Sequence, residues 1–224
     1  MLGKNPIRPP MQGDGLALDV QDIFLTVQGE GPRAGEAAVF VRLGGCNLAC
    51  DFCDTEFESF TTRPLDVVIT RVEELSKQAP EKPAALVVIT GGEPLRQPIE
   101  RLCETLVAKG FTVQIETNGT IYRTLPPQVE WVCSPKNSGK GYKPIRLDVL
   151  SRTNAIKFIV SSHHTLYREV AEVGQSGNRI PVYIQPMDEH DSQKNAENVA
   201  YARTLAQTKG YHLSLQMHKI MGMP

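Results

Sequence analysis

Residues 84–94 have the sequence AALVVITGGEP, in which a short apolar run is followed by two glycines, a glutamate and a proline. The run is far shorter than the ~20 apolar residues that span a membrane, and its β-branched residues favour a buried strand. In parallel α/β sheets, the loops at the carboxyl ends of the strands carry the function. The stretch therefore predicts a central strand of an α/β fold with a functional loop directly after it.

Similar β-branched runs alternate with helical patterns along the rest of the chain. The predicted strands cover residues 39–43, 86–90, 112–117, 130–134, 155–160, 181–185 and 212–217. Apolar spacings of three and four predict helices within residues 65–75, 99–107 (ending at Gly110), 166–173 and 199–206. Because parallel strands need crossover connections, the alternation predicts an α/β fold with a mainly parallel sheet, either open or curled towards a barrel.

The composition is that of a globular protein without a strong charge. Of the 224 residues 41% are hydrophobic and 22% charged, which provides a core and excludes general disorder. Lys and Arg number 24 against 25 Asp and Glu, so no polybasic surface indicates nucleic acid or an anionic membrane as partner. We expect one domain over residues 16–224 after a flexible leader, residues 1–15, which lacks the apolar segment of a secretory signal.

Unusual loops follow five of the predicted strands. They cover residues 44–46, 91–94, 118–119, 135–136 and 186–187. In a parallel sheet these loops lie on the same rim, so they predict a single shared site there.

Three of the five cysteines, Cys46, Cys50 and Cys53, lie within eight residues. Closely spaced thiolates suit zinc or an iron–sulfur cluster. A structural zinc site usually has a fourth ligand, whereas a [4Fe–4S] cluster held by three cysteines keeps one iron open for a small molecule. Cys103 lies on the apolar side of a predicted helix and Cys133 in a predicted strand, so we expect both to pack in the core.

The cysteine spacing, with the aromatic Phe52 before the third cysteine, resembles the signature of the radical S-adenosylmethionine superfamily. Residues 91–94, GGEP, resemble the superfamily motif that supports the methionine amino group. This resemblance implies that S-adenosylmethionine chelates the open iron and is cleaved reductively to a 5′-deoxyadenosyl radical.

Flanking segments are similar to those of one family within that superfamily, the 7-carboxy-7-deazaguanine synthases. The similar segments are residues 26–31, 40–43, 45–48, 53–55, 116–119, 134–136, 185–187 and 216–219, and the resemblance runs from about residue 22 to residue 224. It implies a partial, modified (β/α) TIM-like barrel with its active site at the strand C-terminal rim. It also implies a lyase of queuosine-type deazapurine biosynthesis that converts 6-carboxy-5,6,7,8-tetrahydropterin to 7-carboxy-7-deazaguanine with loss of ammonia.

The resemblance assigns roles to individual residues. The implied contacts of S-adenosylmethionine are Phe52, Cys53, Asp54, Gly92, Glu93, Ser134, Pro135 and Lys136. The implied contacts of the pterin are Val27, Gln28, Gly29, Glu30, Arg42, Thr90, His218 and the terminal carboxylate of Pro224. Further polar pocket residues are Glu116, Thr117, Asn118 and Gln185. Thr55 would bind Mg²⁺, an ion that prefers oxygen ligands.

Other interpretations of these residues stay open on the sequence alone. Gln28 and Glu30 also fit a solvated glycine-rich turn, and Arg42 also fits a structural ion pair. The first alternative function is a glycyl-radical-enzyme activase, and the second is a non-catalytic iron–sulfur or zinc binding module. The resemblance further implies a homodimer and an external electron donor such as a flavodoxin or ferredoxin, while reduced thiols suit the cytoplasm.

Overall fold

The computed structural model describes residues 5–50, 53, 55–137 and 139–223. Its strands are β1 (Ala17–Val27), β2 (Ala37–Leu43), β3 (Thr61–Pro64), β4 (Leu86–Gly91), β5 (Thr112–Thr117), β6 (Glu130–Cys133), β7 (Thr153–Val160), β8 (Val182–Pro186) and β9 (His212–Leu213). Its α-helices are α1 (Leu65–Ser76), α2 (Glu100–Ala108), α3 (Leu147–Leu150), α4 (Gln175–Asn178), α5 (Ser192–Lys209) and α6 (Met217–Met221).

The described strands form one sheet in the order β3-β1-β2-β4-β5-β6-β7-β8-β9. All neighbours from β2 to β9 pair in parallel, whereas β1 is antiparallel to both β2 and β3. The sheet is open, with β3 and β9 as its edges. This confirms the predicted α/β class with mainly parallel strands, and an open sheet of this order fits a partial barrel.

Alternate residues of each strand separate the main core from an inner face of the sheet. On β2, Val39 and Val41 belong to the main core, whereas Phe40 and Arg42 face a cavity. The same alternation on β7 directs Phe158 to the core and Lys157 to the cavity. Because strand side chains alternate between two faces, β2 and β7 contribute both to the core and to the cavity wall.

The apolar faces of α1 and α2 cover the outer side of the sheet. Val68, Val72 and Leu75 of α1 are buried there, as are Leu102 and Leu106 of α2. Cys103 and Cys133 are fully buried, so the expectation that these two thiols pack in the core is confirmed. No helix in the described part of the chain is sufficiently long and apolar to cross a membrane.

Three sequence predictions on secondary structure need correction. The prediction of a helix within residues 166–173 is wrong, because only the 3-10 turn Thr165–Tyr167 forms there, and the next helix, α4, follows Gly174 with its positive φ. The strand predicted at residues 212–217 ends at Leu213, before the chain turns into α6. Strands β1 and β3 were not predicted, because polar residues such as Asp19 and Asp22 interrupt the apolar pattern of β1.

Candidate active site

A cavity of about 780 Å³ lies along the inner face of the sheet. Each of the five loops predicted to share one rim contributes to its wall, through Cys46, Gly92, Asn118, Lys136 and Met187 among others. The prediction of a single shared site at the carboxyl ends of the parallel strands is therefore confirmed in its location.

The three cysteines of the loop after β2 all border this cavity. Cys46 is buried, and burial raises the pKa of its thiol to about 11, an effect that the Glu93 carboxylate and the other two thiols reinforce. The backbone N–H of Cys53 donates to the carbonyl of Cys50 at 3.2 Å. The positive charge of bound iron would reverse this resistance to ionisation, since coordination deprotonates thiols.

Three thiols are the ligand type that an iron–sulfur cluster takes. Among the described residues, no three His, Cys, Asp or Glu side chains are close enough together to hold one ion. A cluster requires one thiolate for each of three irons rather than three on one ion, so cysteines that border one cavity meet its needs.

The loop after β4 packs directly against the cysteine loop. Gly92 donates its N–H to the Leu43 carbonyl at 3.2 Å, and Glu93 donates to the Gly45 carbonyl at 3.1 Å. A Cβ atom on Gly92 would lie 2.1 Å from the Gly45 oxygen and 2.9 Å from the Cβ of Cys46. Only glycine permits this approach, which places two backbone loops side by side at the cavity.

Glu93 is fully buried and connects the loops that follow β4 and β5. Its carboxylate accepts hydrogen bonds from the Thr117 hydroxyl (2.7 Å), the Asn118 N–H (2.7 Å) and the Leu95 N–H (3.1 Å). Burial raises its pKa to about 7, although these donors oppose the shift. Glu93 does not border the cavity, so its contact with S-adenosylmethionine stays a prediction, and its observed role is to hold two site loops together.

A second group of site residues follows β1 and approaches the cavity from a different direction. Val27, at the end of β1, pairs with Ala37, whereas Leu43, at the other end of β2, leads into the cysteine loop. Gln28 is buried, donates to the Glu116 carboxylate at 3.0 Å and accepts from the Glu30 N–H at 3.1 Å. These contacts exclude a freely solvated turn.

Lys157 on β7 completes a charged group that the sequence prediction missed. Its ammonium pairs with Glu30 and lies 3.4 Å from Glu116, and its side chain is only 9% exposed. Burial tends to raise the pKa of Glu30, but Lys157, Gln216 and His218 outweigh it and lower this pKa. In the sequence, Lys157 is a single charged residue within an apolar strand. The same pattern led to the selection of Arg42 as a site residue.

Arg42, on β2, borders the cavity. Its guanidinium stacks over the ring of Phe24 at 5.1 Å, and its buried Nε has no hydrogen-bond partner. Among the described residues no ion pair to Arg42 is found, so the structural ion pair has no partner in that part of the chain. An arginine at a cavity wall suits a carboxylate ligand.

Most of the other predicted site residues also border the cavity. They are Val27, Gly29, Thr55, Thr90, Thr117, Ser134, Pro135, Gln185 and His218. Phe52, Asp54 and Pro224 lie outside the described residues. Cavity residues that the sequence prediction did not include are Tyr142, Lys157, His164, Asp188, Glu189 and His190.

Both ends of the described chain contact the site. At the amino end, Ile7 pairs with Cys46, and Arg8 donates its N–H to the Cys46 carbonyl at 2.8 Å and its guanidinium to Glu58. The flexibility expected for residues 1–15 stays a prediction, although residues 7–11 have defined contacts in the structure. At the carboxyl end, Met217 donates to the Gly29 carbonyl at 3.1 Å.

Comparison with known proteins agrees with this geometry. Residues 40–203 match the family model described as the radical SAM superfamily, so the fold and site define a radical S-adenosylmethionine enzyme, a class that uses a [4Fe–4S] cluster. The chain is 51% identical over 224 residues to a 7-carboxy-7-deazaguanine synthase of Rickettsia prowazekii, covering 100% of this chain and 96% of the relative. It therefore belongs to the 7-carboxy-7-deazaguanine synthase family.

Two further similarities extend this result. A 7-carboxy-7-deazaguanine synthase of Rhodospirillum rubrum is 38% identical over 241 residues, with 99% of each chain covered. The crystal structure of QueE from Escherichia coli superposes with a TM-score of 0.70 at 25% identity, covering 90% of this chain and 95% of that one.

Proposed function

We propose that this protein converts 6-carboxy-5,6,7,8-tetrahydropterin to 7-carboxy-7-deazaguanine with loss of ammonia. The observation that carries the proposal is one cavity that brings the three cysteines together with Arg42 and the Gln28–Glu30 turn. The cysteines provide for radical chemistry, and the polar groups provide for a flat ligand with both hydrogen-bond donors and a carboxylate. The names of the relatives agree with this combination.

Cys46, Cys50 and Cys53 would hold the cluster at the border of the cavity. When bound, the cluster and S-adenosylmethionine would supply the 5′-deoxyadenosyl radical needed for hydrogen abstraction at C6 of the pterin. Gly92 borders the same cavity and would contact the methionine group. Ser134, Pro135 and Lys136 would contact the rest of that molecule from the loop after β6, together with Phe52 and Asp54.

The pterin would lie between a cationic group, Arg42, and a turn that carries the anionic Glu30. Arg42, at the cavity wall, would bind the substrate carboxylate through charge-assisted hydrogen bonds. Gln28 and Glu30, with the backbone of Val27 and Gly29, would accept and donate hydrogen bonds at the ring. Thr90 and His218 would add polar contacts, and Glu116, Thr117, Asn118 and Gln185 would complete the wall.

Thr55 borders the same cavity and would offer a hydroxyl oxygen to Mg²⁺. We further propose a homodimer, an external one-electron donor such as a flavodoxin or ferredoxin, and a cytoplasmic location. The reduced cysteines support a reducing compartment, because a cluster held by three thiolates is lost on oxidation.

The decisive experiment is product analysis with anaerobically reconstituted, reduced protein. Supplied with 6-carboxytetrahydropterin, S-adenosylmethionine and Mg²⁺, it should form a product lighter by one ammonia. Cleavage of S-adenosylmethionine with an untouched pterin would favour the glycyl-radical activase. One bound zinc and no cleavage would favour the non-catalytic binding module.

The terminal carboxylate of Pro224 is expected to contact the pterin, so an extended carboxyl terminus should impair the enzyme. A short carboxyl-terminal tag should weaken substrate affinity while iron content stays at the level of untagged protein. An amino-terminal tag of equal length is the control. Equal catalytic constants for the two tagged proteins would contradict this role of the chain end.

A further inference from the structure

The charged group around Lys157 is connected more extensively than a simple ion pair. Its ammonium lies between the carboxylates of Glu30, in the turn after β1, and Glu116, at the end of β5. Each carboxylate has one amide partner in addition: Gln216 donates to Glu30 at 3.0 Å, and Gln28 donates to Glu116 at 3.0 Å. Three separate segments of the chain are thus joined at one buried cation.

This arrangement leaves acceptor capacity directed at the cavity. A carboxylate has about four acceptor positions, and the described partners occupy only some of them on each of the two groups. Glu30, Glu116 and Lys157 all border the cavity. One ammonium between two carboxylates leaves this group with a net charge of about −1, which favours a ligand edge that carries hydrogen-bond donors.

The surroundings of the group contain few other charges that could replace Lys157. The charge of His218, on α6, helps to lower the pKa of Glu30. On the neighbouring strand β8, Tyr183 is in register with Lys157 and stacks on His212. Without the ammonium, two partly buried carboxylates would face one cavity with no cation bonded to either among the described residues, and one of them would tend to take up a proton.

We propose that Lys157 is a positioning residue, which clamps Glu30 and Glu116 in the orientation that accepts hydrogen bonds from the amino-pyrimidinone edge of the ligand. This inference rests on the proposed function, because the pterin supplies that edge through its ring N–H and exocyclic amine. The opposite, anionic part of such a ligand would then lie towards Arg42. Lys157 therefore determines recognition of the ring without touching the reacting carbon.

The test compares substrate binding in reconstituted wild type, K157M and K157R. K157M should raise the dissociation constant for 6-carboxytetrahydropterin by about tenfold, since hydrogen bonds to a positioned charged group are lost. K157R keeps the charge and should remain within about threefold of wild type. Affinity for S-adenosylmethionine and iron content should stay unchanged in both variants, because neither property depends on the turn after β1.

A pterin analogue without the exocyclic amine separates a positioning role from a purely structural one. A general loss of stability would weaken binding of both compounds equally and would leave the ratio of their affinities unchanged. Wild type should bind the analogue about tenfold more weakly than the substrate, whereas K157M should bind the two compounds with similar affinity. The matched control is K109M, which removes a surface ammonium 2.7 Å from Glu73 and should retain the full wild-type discrimination.

A second variant keeps the test valid if K157M does not fold. K157M/E116Q removes one carboxylate together with the ammonium, so the net charge of the group is preserved while the clamp is lost. It should show the same loss of discrimination as K157M. Wild-type discrimination in either variant would overturn the role of Lys157, whereas absence of pterin turnover by wild type itself would overturn the proposed function.

Discussion

At the scale of single residues, Gly92 and Glu93 perform two different tasks in adjacent positions. Gly92 has no side chain, and this permits contact between the loop after β4 and the cysteine loop. Glu93 does not border the cavity; it is fully buried and accepts hydrogen bonds from three donors. The motif is therefore structural as well as functional, because it determines where both loops lie.

The substitution G92A should reduce cluster loading. Its Cβ would meet backbone and Cys46 at distances that no relaxation of a flexible side chain can relieve, so the cysteine loop must move. We expect less than about half of the wild-type iron content after anaerobic reconstitution, measured by iron analysis and visible absorbance. A Cβ atom on Gly177 would meet no other atom within 4 Å, so G177A is the control and should load fully.

The raised pKa of Glu93 predicts a pH-dependent stability. Because its folded pKa of about 7 exceeds the ordinary 4.5, the folded protein retains a proton that the unfolded chain releases. The free energy of unfolding should therefore fall as pH rises from 4.5 to 7, on the order of 3 kcal/mol in total.

Urea unfolding of iron-free, reduced protein at pH 5 and pH 7.5 measures this effect. The variant E93Q cannot titrate and should show a smaller difference between the two pH values, although it loses the hydrogen bond from Asn118 and is less stable at both. A difference as large in E93Q as in wild type would assign the pH dependence to other groups.

At the scale of elements, the segment before β1 supports the cysteine loop. Ile7 pairs with Cys46, Arg8 bonds to Glu58, and the Arg8 guanidinium lies over Phe60 at 5.1 Å. The ring of Phe60 in turn occupies the place that a side chain on Gly44 would need. These contacts tie residues that flank the cysteine loop on both sides to one short segment.

The substitution R8Q should loosen that loop. Arg8 contributes its ion pair at 2.6 Å and its contact with Phe60, and the backbone pairing at Cys46 depends on this anchor. Hydrogen exchange of residues 44–50 should be several-fold faster in R8Q, because local opening costs less free energy. R71Q, which removes an exposed arginine 3.5 Å from Glu74 on α1, should exchange at the wild-type rate there.

At the scale of the whole molecule, the first and last described segments contact different parts of the site. The amino-terminal segment supports the cysteine loop, and α6 packs on the turn after β1 through Met217 and Gln216. Asp188 helps to hold α6, since it accepts from Lys219 at 2.9 Å and from Asn195 at 2.8 Å. The last turn of the chain is thus part of the site rather than a free tail.

Removal of the charge of Asp188 should release α6. The His190 N–H and the Lys219 ammonium hold the pKa of Asp188 well below its ordinary 3.8, so its stabilising contribution is present above that pH and is lost as pH falls. D188N imitates the protonated state at neutral pH. Trypsin should cleave after Lys219 several-fold faster in D188N, while D148N, at an exposed pair with Arg146, should match wild type.

The features predicted correctly from the sequence are those that depend on patterns of neighbouring residues. The apolar strands, the cysteine spacing and the glycine loops are contiguous patterns, and parallel topology places their loops on one rim. The signal for β1 was weak, because an antiparallel strand with polar residues at Asp19 and Asp22 has no continuous apolar run. The spacing of Leu166, Val170 and Val173 is typical of a helix. In the structure, however, Leu166 is exposed in a 3-10 turn, and only Val170 and Val173 pack against the core.

The sequence by itself determined the α/β class, the closely spaced cysteines and the family, because each depends on residues close together in the chain. Only the tertiary structure decided that Lys157 pairs with Glu30, 127 residues away, and that the turn after β1 closes a cavity whose other loops follow parallel strands. Such contacts depend on how the whole sheet is ordered and on which face each side chain takes. Neither property can be predicted from a local sequence pattern, so the charged group at Lys157 was identified only from the folded structure.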